Sequence, residues 1–231
     1  MKRLVLAATL LLLCAGIANA AVNLVTTRAG LNGNSEIDWN DLGGSSATAI
    51  PSPFDIAVTD SWNGQSAGVS LNTGSFQRVD QGGANVWDWD GNFAPEEALL
   101  QTLATGHALI TFDFDTLVFG IGAQIQPEAL GAFTAQISAY DLSGTLLGQF
   151  TENGVSTSGG DDSAIFIGIL SNIANIHEVT FEVISSKGRA YDGSISLNEV
   201  DAATAVPEPS TFILLAAGLG GAALLRRKKR S

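Results

Sequence analysis

Short runs of alternating apolar and polar residues constrain the fold of this chain more than any other feature. Residues 54–58, 110–114, 133–139 and 179–183 each place every second side chain on an apolar face, with polar or small residues between. A period of two is that of a β-strand with one buried face and one solvated face. Strands of this kind form antiparallel sheets.

Turn-forming residues separate the alternating runs. Clusters of Gly, Asn, Asp and Ser predict turns at residues 141–144, 152–154, 158–162 and 192–193. Many short strands joined by tight turns predict an antiparallel, jelly-roll-like β-sandwich.

Two segments depart from the alternation. Residues 164–170 are continuously apolar, which predicts a strand buried on both faces, although a short buried helix also fits the run. Residues 95–104 predict a short helix, because Pro95 suits the first helical position and the following glutamates favour the positive end of the helix dipole.

The first twenty residues have the three parts of a signal peptide. Lys2 and Arg3 are followed by the apolar run 4–17 and by small residues at Ala18 and Ala20. The run is short for a hydrocarbon core of ~30 Å, which disfavours the alternative of an uncleaved anchor. We expect the general secretion machinery to export the chain and signal peptidase to read Ala18 and Ala20, so that the mature protein begins at Ala21.

The remaining composition describes an acidic extracellular domain. Cys14 is the one cysteine and lies in the signal peptide, so disulfides and thiolate metal sites are excluded from the mature chain. Residues 21–205 have a length that suits one domain, and their 4 basic and 22 acidic residues give a formal charge of −18. This charge argues against nucleic acid as a partner and favours cations or neutral polymers, with solubility as the plain alternative.

The C-terminal residues 206–231 also have three parts. Pro207 and Pro209 flank Glu208 and keep the segment extended, and the apolar run 212–225 can enter a bilayer as a short transmembrane helix. Five cations then stop transfer on the cytoplasmic side: Arg226, Arg227, Lys228, Lys229 and Arg230.

This tripartite end, beginning Val206-Pro207-Glu208-Pro209, resembles the PEP-CTERM sorting signal of Gram-negative bacteria, a tail also called an ice-binding protein C-terminal domain. The resemblance implies recognition by a membrane-embedded exosortase, a transient stay in the inner membrane, and final location at the cell surface or outside the cell. It also implies an association with exopolysaccharide and biofilm. The alternative is a tail anchor that is never cleaved. Residues 89–93, 118–125 and 133–137 resemble β-sandwich domains often attached to this signal.

An acidic, tryptophan-rich segment covers residues 87–93. Asp88, Asp90 and Asn92 have alternating oxygen-bearing side chains that could surround calcium, but the positions of Gly91 and Leu99 do not fit an EF-hand. A turn with its tryptophans in the core is the favoured interpretation, and no metal ligand or cofactor is assigned. The chain's four tryptophans are candidates for stacking on a sugar ring, with core packing as the default for each: Trp39, Trp62, Trp87 and Trp89.

Catalytic motifs are absent from the sequence. His107 and His177 stand apart from any hydrolase or metalloprotease motif, and His177 with Glu178 is interpreted as a surface pair. Asp113 and Asp115 lie two apart on a predicted strand, where solvation is favoured over a catalytic carboxylate pair. No catalytic residue is assigned. We expect an exported, non-enzymatic surface or matrix protein; the alternatives are a secreted carbohydrate-active enzyme and a calcium-dependent carbohydrate-binding module.

Overall fold

The computed structural model describes residues 21–44, 47–60, 65–82, 88–104 and 106–204. These residues form two antiparallel β-sheets packed face to face, as the sequence predicts. The predicted signal peptide (1–20) and the predicted C-terminal helix lie outside the described residues.

The first sheet contains eight strands: β1 (Val22–Val25), β2 (Ser35–Ile37), β3 (Thr48–Ile50), β6 (Ser75–Asp80), β7 (Ala98–Leu103), β9 (Gly120–Pro127), β12 (Ile165–Ser171) and β15 (Ile195–Ala203). The second contains seven: β4 (Phe54–Asp60), β5 (Gln65–Leu71), β8 (Leu109–Val118), β10 (Gly131–Tyr140), β11 (Leu146–Ser156), β13 (Ile176–Ser186) and β14 (Arg189–Ala190). The short helix α1 (Arg28–Leu31) and a 3-10 helix (Trp39–Leu42) complete the described elements.

Strand β15 organises the first sheet. One edge pairs with β9, which continues to β12 and β1, and the other edge is shared by β2 and β7. From β7 the sheet continues to β6 and β3. The second sheet has the order β4-β5-β8-β13-β10-β11, and β2 pairs with β4 to link the two sheets along one margin.

The main core lies between the inner faces of the sheets. Phe112 of β8 and Phe181 of β13 meet edge to face with ring centroids 5.7 Å apart, and Trp39 packs against Phe112 at 6.3 Å. The alternation predicted for residues 110–114, 133–139 and 179–183 is confirmed, because their apolar members point into this core.

Other predictions from the sequence have mixed outcomes. Residues 164–170 are confirmed as a strand, since β12 buries Phe166 on one face and Ile167 on the other. The predicted turn at residues 152–154 is wrong: these residues continue β11, where Gly154 lies opposite Phe133 of β10 and leaves room for its ring. The other three predicted turns connect strands as expected.

The predicted helix at residues 95–104 is also wrong. Glu96 adopts a left-handed backbone conformation (φ 68°), which ends any helical course that Pro95 begins. The residues that follow form β7, which lies between β6 and β15 with both Leu99 and Leu100 fully buried. Burial on both faces of a sheet therefore outweighs the local helix signals.

Two facing glycines make room for an aromatic ring on the outer face of the first sheet. Gly122 of β9 pairs with Gly168 of β12, and the ring of Phe166 lies against both. A Cβ atom at position 122 would lie 2.5 Å from Phe166 Cζ and 2.9 Å from Gly168 Cα. No ordinary non-bonded contact is that short, so any larger side chain must displace the ring or the strand.

We predict that Gly122→Ala lowers the free energy of unfolding by about 1–3 kcal/mol through overpacking. Gly68→Ala is the matched control, because the nearest atom to its new Cβ would be Asp55 Oδ1 at 3.6 Å, an ordinary contact. Urea unfolding of the protein purified from producing cells measures both. Equal midpoints for the two variants would contradict the packing argument.

Candidate binding cleft

A polar cleft opens on the outer face of the first sheet. Two segments cover this face, Thr26–Arg28 with the start of α1 on one side and Ala94–Glu97 on the other, and the cleft lies between them. Its volume is about 660 Å³. The loop between β11 and β12 closes one side with Asp162 and Ser163.

A β-bulge shapes the floor of the cleft. The register between β15 and β9 shifts between Leu197 and Val200, which turns Asn198 into the protein interior. The Asn198 side chain accepts a hydrogen bond from Gln124 N (2.8 Å) and donates to Gln124 Oε1 (2.5 Å) and Glu97 Oε1 (2.7 Å). The bulge thus fixes an amide and a carboxylate at the cleft surface.

Glu97 is held at both carboxylate oxygens. Oε1 accepts from Asn198, and Oε2 accepts from the backbone N–H of Ala94 (3.1 Å). Burial raises the pKa of Glu97, and the charge of Glu199 raises it further, while the Asn198 hydrogen bond opposes the shift. The group is therefore a carboxylate with a fixed orientation and an elevated pKa.

Arg28 is the cation of the cleft. Its Nη1 contacts Glu199 Oε1 and lies 2.7 Å from Asp201 Oδ2, and its guanidinium lies 6.0 Å from the centre of the Phe166 ring. Burial raises the pKa of Asp201 to about 6, although the charge of Arg28 lowers it. Because one guanidinium faces several carboxylates, the cleft retains a negative formal charge.

The amide of Gln124 joins the floor to the loop that closes the cleft. Its Nε2 donates to Asp162 Oδ1 (3.0 Å) and to the backbone oxygen of Ala164 (3.1 Å). Glu152 of β11 adds another carboxylate to the lining. The arrangement presents oriented acceptors and an amide, the groups that bind hydroxyls of an uncharged polar ligand.

The sorting and processing residues predicted from the sequence lie outside the described residues. They are Ala18, Ala20, Val206, Pro207, Glu208, Pro209, Arg226, Arg227, Lys228, Lys229 and Arg230. Trp62 and Trp87 also lie outside them. Within the described part of the chain, no helix is long and apolar enough to span a membrane.

The two described tryptophans pack in cores. Trp39 is fully buried between the sheets, and Trp89 is 5% exposed in a second cluster with Val79, Phe93 and Leu99. Core packing, the default interpretation, is confirmed for both. Neither ring offers an open face to a sugar.

The acidic segment does not bring its three oxygen-bearing side chains together. Asp88 and Asp90 line a separate cleft that also contains Glu128. Asn92 is buried instead, and its Oδ1 accepts hydrogen bonds from Gln126 Nε2 (2.9 Å) and Thr157 N (2.6 Å). Across residues 88–104 and the other described ranges, no cluster of three or more His, Cys, Asp or Glu is placed to hold a metal ion.

The histidines lie on the outer face of the second sheet. His177 Nε2 is 3.2 Å from Asp113 Oδ1, so its partner is this aspartate of β8, whereas the sequence predicted Glu178. His107 Nε2 lies 2.9 Å from Glu182 Oε2. The Asp113 side chain is 59% exposed, which confirms the prediction that it is solvated.

Sequence reasoning missed the residues that form the cleft. Arg28, Glu97, Asn198 and Glu199 belong to no motif and are far apart in the chain. One signal was present: the alternation beginning Ile195 and Leu197 resumes one residue out of phase at Val200. A phase shift of this kind within a strand pattern indicates a bulge.

Comparison with known proteins identifies the C-terminal segment. The chain carries a PEP-CTERM protein-sorting motif at residues 205–230, in agreement with the resemblance seen in the sequence. This motif marks an exported protein that is processed at the membrane. A search of curated proteins found no match.

Several solved structures are similar in fold. A DUF4465 family protein from Bacteroides caccae shares 13% identity over 78% of this chain and 99% of its own, with a TM-score of 0.40. CsCBM6-3 from Clostridium stercorarium, solved with cellobiose, shares 15% identity over 71% of this chain and 99% of its own (TM-score 0.32). A β-1,3-glucan-binding CBM6 from Bacillus halodurans shares 14% identity over 67% of this chain and 99% of its own, with a TM-score of 0.32. At TM-scores this low, the likeness carries no argument about a ligand.

We predict that the free energy of unfolding falls as the pH rises from about 4 to about 6. Asp201 has a pKa of about 6 in the folded state and an ordinary pKa of 3.8 in the unfolded chain. Between these two values the unfolded chain loses this proton more readily than the folded state, so a rise in pH favours unfolding. Glu97, whose pKa is also raised, acts in the same direction.

Asp201→Asn should flatten this dependence and stabilise the protein at neutral pH, with a residual slope from Glu97. Urea unfolding at a series of pH values measures the change. Asp55→Asn, at an exposed site on β4, is the matched control for the change of charge. An unaltered slope in Asp201→Asn would contradict the assignment.

Proposed function

We propose that this protein is a non-enzymatic surface or extracellular-matrix protein that an exosortase sorts and that contacts a neutral polysaccharide through the cleft. The sorting part is supported by the PEP-CTERM motif at residues 205–230. The ligand part rests on one observation: the oriented network in which Asn198 holds Glu97 and Gln124 at the cleft floor.

The network suits a sugar because its groups are fixed before the ligand arrives. A carbohydrate presents hydroxyls that donate to carboxylates and amide oxygens and accept from amide N–H groups. Preorganised partners reduce the ordering cost of binding. The residues Glu97, Glu152, Asp162 and Glu199 outnumber the cation Arg28, so an anionic polymer would be repelled and a neutral one favoured.

A secreted carbohydrate-active enzyme is the second candidate, and Glu97 favours it. A half-buried glutamate with a raised pKa, near the second carboxylate Glu199, has the character of a general acid. However, both oxygens of Glu97 already accept hydrogen bonds from fixed donors, and Glu199 is engaged by Arg28. The geometry therefore favours binding over proton transfer.

We predict that the protein purified from producing cells binds the neutral fraction of their exopolysaccharide and not the anionic fraction. Glu152→Gln and Asp162→Asn should each weaken binding about fivefold, the effect of one impaired hydrogen bond. Asparagine is chosen at position 162 because it tolerates the left-handed backbone there (φ 60°).

Asp55→Asn, on the outer face of the second sheet, is the matched control for this change of charge. Affinity electrophoresis through gels containing each fraction measures the binding. Equal retardation of all variants would place the ligand elsewhere, and release of sugars from the neutral fraction would favour the enzyme.

The sorting part is tested at the motif itself. Glu208 is the charge between two prolines. Proline favours an extended backbone, a form that an enzyme cleft can bind at little ordering cost. We predict that Glu208→Ala preserves export and folding but blocks removal of the tail. A longer, membrane-bound form should then accumulate, detected by fractionation and immunoblotting.

Ser210→Ala, just beyond Pro207-Glu208-Pro209, is the control and should be processed normally. If the Glu208→Ala protein reached the surface trimmed like the wild type, the exosortase assignment would be wrong.

A further inference from the structure

Hydrogen bonds hold the chain in place through Ala203, the last residue of β15, and through Thr204, the residue after it. Thr204 is buried, its N–H donates to Asn34 Oδ1 (2.8 Å), and its hydroxyl lies 2.9 Å from Ser35 Oγ. The preceding residue, Ala203, accepts a hydrogen bond from Phe119 N (2.7 Å). The chain up to Thr204 therefore cannot extend away from the folded domain.

The sorting motif follows this fixed point almost immediately. Pro207 is the third residue after Thr204, and three residues span at most about 11 Å when fully extended. An α-helix with its side chains is about 10–12 Å across. A single helix of the enzyme, placed between Thr204 and Pro207, would therefore occupy the whole of this distance. An enzyme whose cleft encloses Pro207 must then touch the folded domain.

The domain surface around this position consists mostly of uncharged residues. We define the anchor end as Asn32–Asn34, Phe119, Asn172–Asn175 and Thr204, which carry no charge, and Asp60 ends β4 beside Ser35 at the edge of this surface. The neighbouring β10–β11 turn carries Asp141, whose carboxylate accepts hydrogen bonds within the turn. The loops at the opposite end carry four acids, Glu128, Asp161, Asp162 and Asp192, and two cations, Lys187 and Arg189.

The uncharged patch around the exit point suits a contact with another protein. The centres of protein interfaces are depleted of charged residues. Ile173, 39% exposed, is an apolar side chain at the anchor end that is available for such a contact.

The N-terminus of the described chain lies at the same end. Ala21 O accepts from Asn172 N, and the residues Val22, Ser171, Gly120 and Ala203 follow one another across β1, β12, β9 and β15. Three strand spacings of ~4.8 Å separate the outer members of this row. The predicted signal peptide and the sorting motif therefore leave the domain within about 15 Å of each other.

We infer that the anchor end is a docking surface for the sorting enzyme, so that recognition extends from the motif to the folded domain. This inference rests on the proposed exosortase processing. The contact orients the sandwich with its anchor end toward the inner membrane and its acidic loops away from it.

The test introduces one charge at each end of the full-length protein. Ile173→Glu, at the anchor end, should slow removal of the tail about five- to tenfold, the effect expected of an unpaired charge at a contact. Leu130→Glu is the matched control, because Leu130 is similarly exposed (48%) in the β9–β10 turn at the opposite end. Pulse–chase labelling in producing cells measures the rate, and protease resistance confirms that both variants fold.

A ten-residue Gly/Ser insertion after Ala205 completes the design. A longer tether lets the enzyme bind the motif away from the domain, so Ile173→Glu combined with the insertion should be processed at the rate of the insertion alone. A normal rate in Ile173→Glu, or a defect that persists with the insertion, would overturn the docking surface. Failure of the wild type to be trimmed when exosortase is present would instead overturn the proposed function.

Discussion

The hydrogen bonds of Asn198 connect the core of the sandwich with the cleft on its outer face. The backbone oxygen of this residue accepts from Trp39 Nε1 (2.7 Å) between the sheets, while its side chain binds Gln124 and Glu97 on the other side. Asn198 is fully buried, so water cannot replace any partner that is lost. The position of Trp39 in the core and the orientation of Glu97 in the cleft therefore depend on the same bulge.

The cleft concentrates polar groups at some cost to stability. Burial raises the pKa values of Glu97 and Asp201, which means that their charged forms are less favourable there than in water. Arg28 offsets part of this cost at Asp201 and spans the space between α1 and β15. Below it, the ring of Phe166 rests on Gly122 and adds an apolar patch beside the polar groups of the floor.

Local pattern predicted the sheets well and the cleft poorly, for physical reasons. Strands such as residues 110–114 have one face toward the core and one toward water, so the alternation of apolar and polar residues predicts which side chains are buried. Strand β7 is buried on both faces and lacks that alternation. In its absence, Pro95 and the glutamates that follow it led to the wrong prediction of a helix.

The cleft depends on tertiary pairing. Arg28 meets Glu199 only because β1 and β15 belong to one sheet, with β12 and β9 between them. Glu97 meets Asn198 only because β7 adds to the far edge of β15. No spacing in the sequence encodes either contact.

The placement of charge relates the cleft to the two ends of the sandwich. Asp162 belongs to the cleft and also to the loops at the end opposite Thr204. A domain held through its C-terminus therefore keeps the cleft on a side face, away from the tether. The ligand binding and the tail processing proposed above would then use separate surfaces, and neither would have to displace the other.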